Sequence, residues 1–127
     1  MNYVQNKIER LQNGEIIVSR EPGNSMEPIL KSREPVILVP IKDEEELYSL
    51  EEGDIVFAKV HGNCYTHKVS AIDREKGVKI GNNHGHENGW TKQVFAKAHL
   101  IPKDKQKTNK DVTSYLEEFI KQYDSHH

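Results

Sequence analysis

The chain has one cysteine, Cys64, so no disulfide can close within it, and this usage suits a reducing compartment. It lacks any apolar run approaching the ~18 residues that a membrane-spanning helix needs. Neither sign of charge dominates. Lys and Arg number 18 against 20 Asp and Glu, and the resulting net charge of −2 gives no electrostatic reason for nucleic acid as the main partner. Between Met1 and Gly14 stand Lys7, Glu9 and Arg10, where an export signal would carry an apolar core. The expectation is a cytoplasmic protein with no membrane anchor. There are no internal repeats. What is present is 127 residues, 30% charged and 35% hydrophobic, with seven histidines, two of them ending the chain. That length predicts a single domain burying about 65% of its unfolded surface.

Val4, Ile8 and Leu11 recur at helical spacing over residues 3–11, and Asn13-Gly14 stops the helix. A short strand is expected over Glu15–Ser19 and a Pro/Gly loop over Arg20–Asn24. Pro35–Ile41, rich in β-branched residues, reads as a strand, and Lys42–Gly53 as a loop or one helical turn. Further strands are expected at Gly77–Gly81 and Val94–Ile101. Between these last two lies a segment, 82–90, too rich in Asn and Gly for regular structure. Pro102–Lys110 reads as a charged linker opened by a strand-ending proline. Asp111–Tyr123 carries Val112, Tyr115, Leu116, Phe119 and Ile120 on one helical stripe. The domain thus divides into a mainly β core, 15–101, and a linker with a C-terminal amphipathic helix, 102–127.

The clearest local pattern is a hairpin of Asp54–Val60 and Cys64–Ile72. A two-residue Gly62-Asn63 turn predicts that His61 faces Cys64, Val60 faces Tyr65 and Ala58 faces His67. Tyr65, His67, Val69 and Ala71 then share a face with Val56, Ala58 and Val60. Cys64, Thr66, Lys68 and Ser70 point the other way. His67 lies on the more apolar face.

Ser25 sits in a turn, with Gly23 before it allowing close backbone approach and Pro28 after it stiffening the exit. Such a turn exposes the hydroxyl and aims the serine's own amide at a developing oxyanion, although a serine here is ordinarily a cap or turn former. A histidine has the proton affinity to take the serine proton at neutral pH, whereas a lone half-buried histidine is ordinarily a satisfied core residue.

Read together, these segments resemble the LexA/signal-peptidase superfamily. Gly23-Asn24-Ser25-Met26-Glu27-Pro28-Ile29-Leu30 is similar to its nucleophile box, and Lys31–Val39 to the strand that follows. Leu50-Glu51-Glu52-Gly53-Asp54-Ile55-Val56 resembles the next box, Tyr65-Thr66-His67-Lys68-Val69 the strand bearing the base, and Gly81-Asn82-Asn83 the last box. The resemblance covers roughly residues 15–101, with the boxes in family order. His67-Lys68 fits the members that use histidine, rather than lysine, as base.

The resemblance implies small coiled β-sheets around a Ser25–His67 dyad, with an extended peptide bound against a strand edge. Histidine-type members orient the base with an aspartate from the last box. Here Asn82 stands after Gly81, and the nearby carboxylate is Glu87, so either one is the expected orienting group. Met26, Pro28 and Tyr65 are expected to meet the substrate. Too little chain precedes Ser25 for the family's DNA-binding segment and linker cleavage, so neither operator binding nor self-cleavage is expected. The partner would be a protein or peptide cut in trans, with no cofactor. Two alternatives stay open. One is an inert domain acting as a protein-binding or regulatory module. The other is a zinc module built from His61, Cys64, His67, His84 and His86. The predicted hairpin separates Cys64 from His67, leaving pairs where zinc needs three or four ligands.

Overall fold

The computed structural model describes residues 2–126. Met1 and His127 lie outside the described residues. In chain order the elements are α1 (Tyr3–Gln12), β1 (Ile17–Arg20), β2 (Pro35–Pro40), α2 (Glu44–Tyr48), β3 (Ile55–Val60), β4 (Asn63–Asp73), β5 (Gly77–Gly81), β6 (Glu87–Thr91) and β7 (Val94–Leu100). A 3-10 turn (Lys103–Lys105) and α3 (Asn109–His126) complete it. The fold is mainly β, as expected, but its strands form one antiparallel sheet, ordered β1-β2-β7-β3-β4-β5-β6, in place of separate small sheets.

Both faces of this sheet are covered, which explains why every residue of β2 is buried. Val36 and Leu38 point into a core with Phe57, Met26, Leu30 and Leu11 of α1. Ile37 and Val39, the alternate residues, face Val112 and the α3 side chains Tyr115, Leu116 and Phe119. Phe57, 2% exposed, and its neighbours bury enough apolar surface to contribute about 2–3 kcal/mol per large side chain. A third core joins Val56, Ala58 and Val60 of β3 to Val69, Val78 and Ile80, under Leu47 of α2. Asp43 caps α2, its carboxylate accepting from the Glu46 amide at 2.9 Å.

Two sequence expectations need correction. The hairpin turn is His61-Gly62, with Val60 opposite Asn63, Ala58 opposite Tyr65 and Val56 opposite His67. Both turn residues have positive φ, 50° and 85°, matching the twist that a two-residue hairpin needs. Each partner moves by two residues, so the side chains up to Val69 keep their expected face. Beyond it a bulge between Val69 and Ala71 pairs Ala71 with Lys79 and brings Ile72, in place of Ala71, to the core with Val69. The second correction is β6. Residues 87–91 form a strand within the segment read as irregular, because pairing with β5 satisfies their backbone despite Asn88 and Gly89.

The sheet curls strongly. Thr91 Oγ1 of the edge strand β6 donates to Lys59 O of β3 at 2.6 Å, although two strands separate them in the sheet. This curl carries the β5–β6 loop towards the Ser25 turn, which follows the opposite edge strand β1.

Candidate active site

Ser25 and His67, 42 positions apart in sequence, meet in space. Ser25 Oγ lies 3.1 Å from His67 Nε2. The serine comes from the turn after β1 and the histidine from the middle of β4. His67 is 7% exposed and its ring stacks on Tyr65, with centroids 5.0 Å apart. That stack follows from strand alternation, which puts positions 65 and 67 on one face. Burial is the main influence on the ring and pushes its pKa below the ordinary 6.5. The Asn88 bond works against this, and the neighbouring His86 adds slightly to the lowering. The imidazole is therefore neutral at pH 7.

Behind the ring stands Asn88, which the sequence reading did not single out. Its Oδ1 lies 2.6 Å from His67 Nδ1 and accepts that nitrogen's proton. This bond fixes the tautomer: Nε2 is left unprotonated and takes the Ser25 hydroxyl as donor. Asn88 reaches the ring because it is the extra residue of a β-bulge. Ile80 pairs with Gly89 and Gly81 with Glu87, leaving Asn88 unpaired between them and re-aimed.

The two expected orienting groups lie elsewhere. Glu87 is exposed and accepts from Ser70 Oγ at 2.9 Å, since its neighbour Asn88 occupies the position facing the ring. Asn82 orders its own loop, its Oδ1 accepting from the amides of His84 at 2.8 Å and His86 at 3.0 Å. Of the expected substrate contacts, Tyr65 is half-buried beside His67 and Pro28 is exposed, following a cis peptide bond. Met26 is not placed to meet a ligand. It is 3% exposed and packs with Leu30, because the turn at Ser25 sends the next side chain into the core.

A second residue missed in the sequence, Asn83, ties the serine turn to the base strand. Its amide donates to Ser25 O at 2.8 Å and its Nδ2 to Glu27 O at 2.9 Å. Its Oδ1 accepts from Lys68 Nζ at 2.9 Å. His84 adds a ring contact to Asn24 O at 3.0 Å. The turn's carbonyls are thereby held, while among the described residues the Ser25 amide donates to no protein group. That amide is free for an incoming oxygen.

Among the described residues no three His, Cys, Asp or Glu side chains come together in a form suited to a metal ion. Cys64 is half-buried, and burial raises its thiol pKa. Among the described residues no helix is long and apolar enough to cross a membrane.

No family model and no solved structure matches this chain. It is similar to a UDP-N-acetylglucosamine--N-acetylmuramyl-(pentapeptide) pyrophosphoryl-undecaprenol N-acetylglucosamine transferase of Prochlorococcus marinus, 22% identical over 133 residues, spanning 96% of this chain and 36% of that protein. It is also similar to an auxin-responsive protein of Arabidopsis thaliana, 27% identical over 74 residues, spanning 58% of this chain and 59% of that protein. The chain thus spans less than two thirds of both proteins. Neither likeness shows a family, and the functional reading rests on the geometry around Ser25 and His67.

Proposed function

We propose that this protein is a serine hydrolase of peptide bonds, of the LexA/signal-peptidase type, cutting a protein or peptide in trans in the cytoplasm. One observation carries the reading: the 3.1 Å contact of Ser25 Oγ with an unprotonated His67 Nε2. Ser25 Oγ attacks the carbonyl carbon of the scissile bond while Nε2 takes its proton. The Ser25 amide stabilises the oxyanion. The imidazolium then returns the proton to the leaving amine, and a water activated by the same nitrogen releases the acyl group. Asn88 keeps the ring in register throughout, in the orienting role that histidine-type members of the superfamily give to an aspartate. The substrate is an extended segment that adds to a free sheet edge, β1 or β6, both of which end near the site.

A fluorophosphonate probe, which labels an activated serine covalently, tests this directly. Labelling of the native protein that disappears in Ser25→Ala and falls sharply in His67→Ala is the expected result. No labelling of the native protein, or labelling that survives Ser25→Ala, overturns it.

The neutral Asn88 favours a second reading, an inert domain kept as a protein-binding module, because a carboxylate would stabilise the imidazolium and an amide does so less. Under that reading Ser25→Ala keeps its full biological effect.

A further inference from the structure

Asn88 precedes Gly89, and the chain has one other Asn-Gly pair, Asn13-Gly14. In such a pair the glycine nitrogen can attack the asparagine side-chain carbonyl carbon. A five-membered succinimide closes as the new N–C bond forms, and the side-chain nitrogen leaves as ammonia. Water then opens the ring at one carbonyl or the other, giving aspartate or isoaspartate. Glycine removes the side chain that would obstruct this approach and leaves the backbone freer to turn.

The surroundings of Asn88 favour that chemistry in three ways. First, its Oδ1 accepts the His67 Nδ1 proton at 2.6 Å, which draws electron density from the carbon under attack. Second, another imidazole lies beside Gly89: a Cβ built on the glycine would stand 3.1 Å from His61 Nε2. Third, Asn88 is the unpaired residue of a bulge on an edge strand, next to Gly89, which has φ 123° and pairs with Ile80. Asn13-Gly14 differs. There the Gly14 amide donates to Leu11 O at 2.9 Å in the α1 cap, which holds the would-be nucleophile in place.

We infer that Asn88-Gly89 is a self-deamidation site whose aspartyl product puts a carboxylate behind His67. The chemistry at Asn88 stands alone, while its consequence for activity rests on the hydrolase reading above. Aspartate at 88 keeps the backbone length and can still accept from Nδ1, now as an anion that favours the protonated ring. Isoaspartate inserts a methylene into the main chain and takes the acceptor away from the ring. The two products therefore have opposite effects on the base.

The intact native protein, held at neutral pH and physiological temperature, is sampled over days, digested, and its peptides resolved by mass and by isoaspartate content. The expected result is an amide-to-acid conversion at Asn88 severalfold faster than at Asn13. Conversion confined to Asn13, or an unchanged amide at both sites, overturns the inference. Asn88→Asp supplies the aspartyl product directly, and nuclear resonance of the His67 ring should show its titration moved to higher pH than in the native protein. An unmoved titration overturns the proposed consequence. Neither readout needs a substrate, so failure of fluorophosphonate labelling would remove the hydrolase reading and leave the deamidation result to be judged separately.

Discussion

Lys68 Nζ donates to Asn83 Oδ1 at 2.9 Å, so the residue following the base holds the residue that clamps the serine turn. Two side chains outside the Ser25–His67 contact thereby tie the serine turn to the strand that carries His67. Asn83→Ala removes the bond to Glu27 O and the partner of Lys68. It should lower stability by about 1–2 kcal/mol, read as a shifted urea midpoint. The rate of Ser25 labelling should fall about tenfold or more even in fully folded protein, because small misplacements of a nucleophile are costly. Lys68→Met keeps both bonds from Asn83 to the turn and should have a smaller effect on each.

Asn88→Ala removes the acceptor behind His67 without touching Ser25. The expected outcome is a labelling rate lower by about 10–100-fold, in the range seen when orienting partners are removed. Nitrogen resonances of the ring separate this from a loss of folding: the native protein should show one tautomer, protonated at Nδ1, and the variant a mixture. A single unchanged tautomer in Asn88→Ala would mean that another group orients the ring.

Burial lowers the pKa of both His67 and His99, so each resists protonation when folded. The unfolded chain binds those protons more readily, starting near the ordinary 6.5. Stability should consequently fall as the pH drops below about 6.5 and level off once the folded-state values are passed. His99→Gln, remote from the site, should flatten part of that slope in a series of urea titrations at stepped pH. If the neutral ring is the base, labelling of Ser25 should decline at a pH below that expected of an ordinary histidine at 6.5.

Lys7 is 3% exposed and its ammonium reaches Ser19 Oγ at 3.0 Å, pairs with Glu21 and lies 4.2 Å from the centre of the Phe57 ring. Thr66 also donates to Glu21, at 3.3 Å. Lys7→Ala strands a partly buried carboxylate and opens space beside Phe57. A loss of about 2–4 kcal/mol is expected, towards the lower end because Glu21 keeps 28% of its side-chain surface in water. The double variant Lys7→Met with Glu21→Gln should recover much of it, as a double-mutant cycle would read.

Much of the fold was legible because periodicity and turn chemistry agree. The α1 stripe, β2, β5, β7 and the stripe on α3 fall within a few residues of where spacing put them. Even the misplaced hairpin turn left His67 on the correct face, since moving a two-residue turn by one position shifts each partner by two. The Ser25–His67 pair was legible from residue types and box order. Its third member was not. Choosing among Asn82, Asn83, Glu87 and Asn88 requires knowing where the ladder slips, and the Asn- and Gly-rich segment gives no period from which to read a bulge. Asn83 escaped notice for a related reason: its main work is done by a backbone amide, which every residue but proline possesses. Trp90 and Thr91, good strand formers beside the glycine, were the available hint of β6.

The curl that brings β6 back over β3 has a consequence for timing. Ser25, near the start of the chain, acquires a base, a tautomer and a held turn only when residues 67, 83 and 88 have been made and closed around it. A growing chain that has completed β1 and β2 carries a hydroxyl no more reactive than any other serine's. The same dependence runs in reverse, so peeling the terminal strand of the sheet takes Asn88 away from His67.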